Sequence, residues 1–380
     1  MNRRTIVVAP DKFKGSLSAL EVGRAIERGL KHVLGERHAI AVVPMADGGE
    51  GTVAAFVDGG AAPVVRSVRG PLGERVDAVI ARDGDVVILE MASASGLALL
   101  SPEARGARDA STYGTGELIR AALDIGARRI VVGIGGSATN DGGAGMLAAL
   151  GVRLLDAEGE PIPPGGMNLS ALRTLDISGL DARLHDVALE VAADVDNPLC
   201  GPTGATTVFG PQKGASPEDV PRLDSALAHF ADQAASVVGR DYRDVPGAGA
   251  AGGLGFGLMA FLGARLRPGV DIVAELRGLD EVLQGALLCI SGEGRIDEQT
   301  LRGKTVAGVA NIARRYAVPV IALGGTLEPQ AEDDLFARGI TCFPILDKPM
   351  TLEVAVADAE ALVQHAASRV ARVISITPRT

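Results

Sequence analysis

The sequence predicts an α/β protein of two α/β domains: a Rossmann/flavodoxin-like parallel-sheet domain, and an inserted mixed α/β domain with a glycine-rich cleft. Three observations support this fold class. Apolar, β-branched runs alternate with helical periodicity near both ends of the chain, which is typical of a parallel sheet. The chain of 380 residues is longer than a domain with a single hydrophobic core usually is. The 50 glycines show no short period, so they indicate many tight loops rather than a fibrous repeat.

The order of the predicted elements indicates where the domains divide. Strand–helix alternation occurs in the first part of the chain and resumes near its end, so both ends are expected to share one sheet. The simplest partition builds the first domain from residues 1–66 and 285–380. The second domain, at 67–284, is then an insertion into the first.

The N-terminal region predicts a strand followed by a helix and a second strand. The apolar run at 5–10 is typical of a buried strand. Ser18 and Glu21 form a capping-box pattern, which predicts a helix over 19–34. A second strand is expected at 39–45, before a glycine–carboxylate loop and another helix.

The middle of the chain has a different pattern. Three β-rich pieces near 63–69, 75–82 and 85–91 are separated by short turns, which predicts antiparallel pairing. A helix is expected at about 114–126, and then a strand, a glycine-rich loop and a helix. The other expected strands lie at 152–156, 187–195, 287–291, 318–323 and 340–346. The other helices are expected at 217–238, 305–316, 330–338 and 351–372, and one more is expected to follow the segment 247–257 and to end near Gly263.

Composition excludes several classes of function. The net charge of −10, the absence of tryptophan and the absence of a basic block argue against a nucleic-acid partner. Three isolated cysteines and scattered histidines favour neither a zinc site nor a disulfide frame. No apolar stretch reaches the roughly 18 residues of a membrane span, and no signal-peptide pattern is present, so a cytoplasmic location and no membrane partner are expected.

Five polar, glycine-bearing loops are the candidate functional elements, and several of them directly follow predicted strands. They are DKFKGS (11–16), ADGGEG (46–51), GIGGSATNDGG (133–143), DVDNPLCGPTGA (194–205) and GEGRIDEQTLRGKT (292–305). Ligands of open α/β sheets bind at the carboxyl ends of strands, so these loops can converge on one cleft. Together they supply lysines and backbone N–H groups for phosphates, and carboxylates for Mg²⁺ and for orienting a hydroxyl. Phosphoryl transfer requires these groups.

Two familiar nucleotide-binding motifs match only in part. A Walker P-loop that ended in Gly303-Lys304-Thr305 would need its first glycine at 298, which is Glu298, so this interpretation fails. Gly133, Gly135 and Ala138 fit the dinucleotide pattern G-x-G-x-x-[GA], and Asp156 follows at a suitable distance. An NAD-dependent oxidoreductase that uses Gly133–Ala138 is therefore an alternative hypothesis.

The loops and their flanking segments together resemble the glycerate kinase family in its bacterial form. The resemblance covers nearly the whole chain and rests on nine motifs in order: VAPDKFKGSLSA, PMADGGEGT, EMASASGL, TYGTGELI, GIGGSATNDGG, DVDNPLCGPTGA, FGPQKGA, GAAGGLGFG and SGEGRIDEQTLRGKT. It implies ATP-dependent phosphorylation of D-glycerate, usually at the 2-hydroxyl, to give 2-phosphoglycerate and ADP. It also implies two α/β domains with the active site in a cleft. Phosphorylation at the 3-hydroxyl and a non-enzymatic binding or sensor protein are alternatives.

Residue roles follow as hypotheses. Asp194 is expected to orient and deprotonate the substrate hydroxyl, Asp47 to bind substrate or Mg²⁺, and Lys12 to add positive charge at the catalytic site. Arg66 and Arg69 are candidates for the glycerate carboxylate, because a guanidinium matches a carboxylate in a bidentate manner.

The cofactors expected are ATP and Mg²⁺. The predicted ATP-binding residues are Gly135, Gly136, Ser137, Thr139, Asn140 and Asp141. Glu293 and Asp297 are the candidate Mg²⁺ ligands. The expected partners are D-glycerate and ATP alone, and the chain is expected to be a monomer or a homodimer.

Overall fold

The structure is a computed structural model that describes residues 4–301 and 304–376. The chain divides into two compact units. The first, called the terminal unit, comprises Met1–Asp47 and Pro268–Thr380; the second, called the inserted unit, comprises Gly48–Arg267. Each has its own sheet and its own hydrophobic core.

Strands and helices are numbered in chain order. The strands are β1 (Thr5–Val8), β2 (Ala39–Val42), β3 (Ala62–Arg69), β4 (Arg75–Asp83), β5 (Val86–Glu90), β6 (Arg129–Gly133), β7 (Arg153–Leu155), β8 (Thr174–Asp176), β9 (Ala188–Ala192), β10 (Arg265–Arg267), β11 (Leu288–Ile296), β12 (Val320–Leu327) and β13 (Ile340–Pro344). The α-helices are α1 (Ala19–Leu34), α2 (Thr52–Asp58), α3 (Ala92–Ser95), α4 (Tyr113–Asp124), α5 (Ala144–Ala149), α6 (Ala205–Phe209), α7 (Asp219–Val238), α8 (Ala250–Leu262), α9 (Gly269–Leu276), α10 (Leu279–Leu283), α11 (Glu298–Leu301), α12 (Thr305–Arg315), α13 (Pro329–Ala337), α14 (Leu352–Ala357) and α15 (Ala359–Ile376).

The terminal unit contains a five-stranded parallel sheet in the order β13-β12-β11-β1-β2. Counted along this unit alone, the order is 2-1-3-4-5, that of flavodoxin-like folds, and it confirms the predicted parallel-sheet domain. Helices α1 and α15 cover one face of the core through buried residues such as Ile26 and Val363. The predicted capping box is present: Ser18 accepts from the Glu21 N–H, and Glu21 accepts from the Ser18 N–H.

The chain leaves β1 towards one edge of this sheet and leaves β11 towards the other. The point between β1 and β11 is therefore the topological switch point, where ligands of doubly wound sheets bind. The Asp11 N–H donates to the Gly292 carbonyl at 2.8 Å, which joins the loop after β1 to β11 at this point.

The inserted unit contains a six-stranded mixed sheet in the order β10-β9-β6-β5-β4-β3. Strands β10, β9, β6 and β5 are parallel, whereas β4 is antiparallel to both β5 and β3, as the short turns predict. Strands β7 and β8 form a separate antiparallel pair. The loops after β5, β6 and β9 all leave the carboxyl edge of the main sheet.

The division between the units differs from the sequence-based boundaries at 66/67 and 284/285. It falls after Asp47 and after Arg267. Strand β3 pairs along its whole length with β4, so the segment before residue 67 joins the inserted sheet. Helices α9 and α10 belong to the terminal unit, where α9 packs against α12.

A few predicted helices differ in detail. The helix expected at 217–238 begins at Asp219, and the final helix is two helices separated at Asp358. Helix α8 contains a left-handed turn at 251–253. Among residues 4–301 and 304–376, no helix is long and apolar enough to cross a bilayer.

Candidate active site

The glycine-rich loop after β6 has an exposed tip and a buried remainder. Gly135 and Gly136 are exposed, whereas Ser137 to Asn140 are buried. Gly136 has a φ of 72°, a conformation that favours glycine. Within the described part of the chain, the N–H groups of Gly135 and Gly136 donate no hydrogen bond to protein. The tip can therefore offer two backbone donors to an anion.

The Gly48-Gly49 part of the ADGGEG loop lies directly against this glycine-rich loop. A Cβ at Gly133 would lie 2.3 Å from the Gly48 carbonyl oxygen, and a Cβ at Gly135 would lie 3.1 Å from the Gly49 Cα. Glycine at position 133 is therefore a steric requirement. It allows two backbones to approach more closely than any side chain permits.

A buried lysine lies beneath the tip. Lys213 is 2% exposed, and its Nζ donates to the Ser137 Oγ at 2.7 Å and to the Thr139 carbonyl at 2.8 Å. Burial lowers the pKa of Lys213 to about 7, against the opposing effect of the Asp141 charge. Lys213 is one of the lysines that the sequence offers as cations for phosphates, but its position in the FGPQKGA motif does not indicate that its side chain is buried.

Asp141 accepts hydrogen bonds from backbone N–H groups at the start of α5. Its carboxylate accepts from the N–H groups of Gly143 and Gly145 and from both the N–H and the hydroxyl of Thr112. Burial raises the pKa of Asp141, and these four hydrogen bonds act in the opposite direction. A protein carboxylate therefore occupies the N-terminus of α5.

Thr139 and Asn140 point into the protein. Both are fully buried, and the Asn140 Nδ2 donates to the Thr206 Oγ1 at 2.9 Å. Among the described residues, the Thr139 Oγ1 and the Asn140 Oδ1 have no hydrogen-bond partner. A Cβ at Gly252 would lie 2.0 Å from the Thr139 carbonyl oxygen, so the left-handed turn of α8 packs tightly against this segment.

Asp194 follows β9, the strand that pairs directly with β6. It is exposed, and it lies two residues beyond the last residue of that strand. The loop that carries Asp194 and the glycine-rich loop therefore leave neighbouring strands at the same edge of the sheet. This position is compatible with a carboxylate that faces a ligand held at the tip.

The two predicted arginines lie on β3, the edge strand. Because they are three residues apart, their side chains project from opposite faces of the sheet. The Arg66 Nη1 donates to the Val65 carbonyl at 2.9 Å, whereas the Arg69 guanidinium stacks on the Tyr113 ring, 4.0 Å from its centroid. The two arginines therefore do not form one clamp for a carboxylate.

Carboxylates of the terminal unit lie near its topological switch point, between β1 and β11. The Asp11 carboxylate accepts from the Thr305 hydroxyl at 2.5 Å and from the Lys12 N–H at 2.7 Å. Burial, together with the charge of Asp47, raises the pKa of Asp11 to about 6. The prediction named Lys12 and Asp47 as catalytic residues but missed Asp11, which opens the DKFKGS motif.

Glu293 is the second buried carboxylate of this group. It accepts from the Thr300 hydroxyl at 2.5 Å, and the same hydroxyl oxygen accepts from the Asp297 N–H at 3.1 Å. Burial and the charge of Asp11 raise the pKa of Glu293 to about 7, while Lys304 opposes the shift. Gly303, which the P-loop comparison used, lies outside the described residues.

The donor set at the switch point suits a hard cation in its chemistry. Mg²⁺ prefers carboxylate oxygens and is often held by only one or two of them, with substrate phosphates and water completing the shell. Burial is the main cause of the raised pKa of Asp11 and of Glu293, with charge repulsion second, and a bound cation would lower both pKa values. Among the described residues, however, no group of three or more His, Cys, Asp or Glu side chains is close enough to hold a metal ion.

The structure contradicts the dinucleotide alternative. Asp156 follows β7, which pairs with β8 outside the main sheet, whereas β6 is flanked by β5 and β9. Its carboxylate accepts from the N–H groups of Glu158 and Glu160 and closes a local turn. It therefore lacks the position of the ribose-binding acid, at the end of the parallel strand beside the glycine-rich turn.

Comparison with known proteins gives a consistent picture. The model of the glycerate kinase family matches residues 6–375. The chain is 50% identical to the glycerate kinase of Bacillus subtilis (strain 168), with 98% of each chain covered. It is 50% identical to the glycerate 2-kinase of Escherichia coli (strain K12), with 85% of each covered. A crystal structure assigned to glycerate kinase 2 from Salmonella typhimurium LT2 superposes with a TM-score of 0.90 at 48% identity, covering 98% of this chain and 99% of that one.

Proposed function

The chain belongs to the glycerate kinase family, and we propose that it transfers the γ-phosphoryl group of ATP to the 2-hydroxyl of D-glycerate. The products are then 2-phosphoglycerate and ADP. That the protein is a kinase follows from the family. The use of ATP, the hydroxyl that reacts and the residues that act are the proposal.

One observation carries the assignment of the ATP site. The exposed tip at Gly135 and Gly136 offers backbone N–H groups at the carboxyl edge of the parallel strands β5, β6 and β9, and the Lys213 ammonium lies just beneath it. Backbone donors of this kind bind phosphate oxygens, and an adjacent cation strengthens the site. We assign the phosphates to Gly135, Gly136 and Ser137. The buried Thr139, Asn140 and Asp141, also predicted as ATP ligands, instead shape the loop.

Asp194 is our assignment for the group that orients and deprotonates the glycerate hydroxyl. A carboxylate serves this purpose in phosphoryl transfer because it accepts the hydroxyl proton as the new bond forms. Asp194 lies exposed beyond β9, beside the strand that carries the tip. Of the two arginines, Arg69 is the better placed for a substrate carboxylate, since it lies at the end of β3 that shares the carboxyl edge with β5.

In the terminal unit, Lys12 and Asp47 keep their proposed catalytic role beside Asp11. Glu293 and Asp297 are the residues that would hold Mg²⁺. When bound, this ion neutralises charge on the phosphates. Thr300 fixes the Glu293 carboxylate through a hydrogen bond, so its orientation is set before any ligand arrives.

The proposal is tested by incubating the protein with ATP, Mg²⁺ and D-glycerate, measuring ADP with a coupled assay and identifying the product by ³¹P and ¹H NMR. We expect ADP and 2-phosphoglycerate in equal amounts. A 3-phosphoglycerate product would contradict the regiochemistry, and absence of ADP formation would contradict the proposal as a whole. Asp194→Asn should lower kcat at least 100-fold with ADP affinity retained; near-normal turnover would remove Asp194 from its role.

A further inference from the structure

We propose that Lys213 is a positioning residue that directs the Ser137 hydroxyl towards a bound phosphate oxygen. The proposal rests on the function proposed above and adds a specific role for a residue that does not itself touch the reacting atoms. It concerns the direction of one hydrogen bond. The steps below use only contacts within the inserted unit.

The first step is the donor count at Ser137. When Lys213 is protonated, its ammonium has three N–H donors and no acceptor, so the 2.7 Å contact between Lys213 Nζ and Ser137 Oγ uses a lone pair of the serine oxygen. The serine proton is then free to point away from the lysine. Ser137 is 8% exposed and directly follows the exposed Gly136, so its hydroxyl can donate on the side where the tip meets solvent.

The second step is the anchoring of the lysine itself. A second donor of Nζ is bound to the Thr139 carbonyl at 2.8 Å, which fixes the ammonium against the loop backbone on both sides of Ala138. The lysine enters from a tight turn: its N–H donates to the Gly210 carbonyl at 3.0 Å, and Gly214 follows with a φ of 91°. A Cβ at Gly214 would lie 2.6 Å from the Arg105 carbonyl oxygen, so this turn has little freedom to move.

The third step concerns charge. Lys213 forms no salt bridge with any described residue, although Asp141 is close enough to influence it. The Asp141 carboxylate is already engaged by four donors from Thr112, Gly143 and Gly145. A buried cation without an ion-pair partner is costly, and an anion held at the tip would offset that cost. The site is thus arranged for an oxyanion such as a nucleotide phosphate.

The test is a double-mutant cycle on Ser137 and Lys213, read through the dissociation constant of Mg·ADP by isothermal titration calorimetry. We expect Ser137→Ala and Lys213→Met each to weaken ADP binding on the order of 10- to 100-fold, the range for loss of a charge-assisted hydrogen bond. Because the lysine acts partly through the serine and partly through its charge, Lys213→Met should weaken ADP binding clearly less in the Ser137→Ala background than in the wild type. Full additivity of the two effects would overturn the proposal.

Two further variants separate positioning from loss of folding. Lys213→Arg keeps a charged donor and should recover a substantial part of the ADP affinity, whereas a purely steric role would give no such rescue. Lys348→Met removes an exposed lysine of the terminal unit and should leave ADP affinity unchanged. In turnover assays, Lys213→Met should raise KM for ATP more than KM for D-glycerate; equal increases would contradict the role.

The readouts keep this proposal distinct from the proposed function. ADP binding requires no turnover, so the cycle can be completed even if D-glycerate is not the substrate. A wild-type protein that binds ADP but does not phosphorylate D-glycerate would contradict the substrate and leave the Lys213–Ser137 coupling measurable. A wild-type protein that does not bind ADP would overturn both.

Discussion

Lys213 carries its charge beneath the glycine-rich loop, where burial lowers its pKa to about 7. The motif FGPQKGA shows that a lysine is present, but a sequence cannot show that the side chain is buried or that it bonds to Ser137, 76 residues away. For Asp141, the position in the sequence and the observed hydrogen bonds indicate different roles. Its place in the loop suggested a ligand contact, whereas its hydrogen bonds to Thr112 and to the start of α5 show a capping role.

The buried lysine gives a pH dependence of stability with a definite sign. Between about pH 7 and the ordinary lysine pKa of about 10.4, the unfolded chain binds a proton at Lys213 that the folded chain releases. The free energy of unfolding contributed by this group therefore rises with pH across that window. Measured by urea denaturation from pH 7.5 to 9.5, wild type minus Lys213→Met should rise by about 1 kcal/mol per pH unit.

The control for this measurement is Lys348→Met, which removes an exposed lysine from the terminal unit. Its difference from wild type should stay flat over the same pH range, since an exposed side chain contacts solvent in the folded and the unfolded chain alike. If the difference between wild type and Lys213→Met were flat as well, the buried lysine would have its ordinary pKa. That result would contradict the lowered pKa of Lys213.

Ala317 gives a residue-scale prediction about stability. It follows the end of α12 with a φ of 55°, is exposed, and is one of two non-glycine residues with positive φ among those described. A Cβ costs about 1–2 kcal/mol in this conformation, and glycine loses about 0.5–1 kcal/mol of chain entropy. Ala317→Gly should therefore raise the free energy of unfolding by up to about 1 kcal/mol.

Ala54→Gly is the matched control, because Ala54 is exposed within α2. It should lower stability by about 1 kcal/mol, the usual cost of glycine inside a helix. Both variants are measured by chemical denaturation at one pH. Destabilisation by Ala317→Gly would contradict the left-handed conformation assigned to residue 317.

At the scale of elements, periodicity and turn chemistry predicted most strands and helices. The capping box at Ser18, the antiparallel pieces before residue 92 and the strand–loop–helix order around Gly133 are all present. The left-handed turn of α8 could not be predicted, because GAGAAGGLGFG permits helix and turn alike. Its conformation is set by its close packing against Thr139.

That packing predicts a large difference between two glycine substitutions. Gly252 and Gly285 have similar φ values, 68° and 72°. A Cβ at Gly252 would meet the Thr139 carbonyl oxygen at 2.0 Å, whereas a Cβ at Gly285 meets nothing within 4 Å. Gly285→Ala should cost only the backbone strain of about 1–2 kcal/mol, and Gly252→Ala should cost several kcal/mol or prevent folding.

Thermal unfolding followed by circular dichroism measures both variants. Soluble yield provides a second readout if Gly252→Ala does not fold. Similar losses for the two variants would mean that the contact between α8 and the glycine-rich loop is not a steric constraint.

At the scale of the whole molecule, the sequence predicted a parallel-sheet domain from both chain ends and an inserted mixed-sheet domain. The structure shows a flavodoxin-like order in the terminal unit and a mixed six-stranded sheet in the inserted unit. The predicted boundaries missed the division because strand pairing, which assigns β3 to the inserted sheet, is a long-range property.

The negative net charge of the chain means that anionic substrates must be bound by local hydrogen-bond donors and cations. The chain carries a net charge of −10, so its long-range field disfavours anionic substrates such as ATP and glycerate. Under the proposed function, binding of such substrates depends on short-range groups, for which the Gly135–Gly136 tip and Lys213 are the candidates. ATP with Mg²⁺ at about 100 times its Kd should stabilise the protein by about 2.7 kcal/mol in thermal unfolding. NADH at the same concentration should give no shift; protection by NADH without protection by ATP would contradict the proposed nucleotide site.

The central claim is that the Gly135–Gly136 tip holds the phosphates of the nucleotide. Selective ¹⁵N-glycine labelling and TROSY NMR test it directly, because both residues carry backbone N–H groups that have no acceptor in the described part of the protein. On titration with Mg·ADP, the amide signals of Gly135 and Gly136 should shift downfield, and by more than those of exposed glycines such as Gly239 and Gly285. Saturation with ADP that leaves both signals in place would contradict the claim.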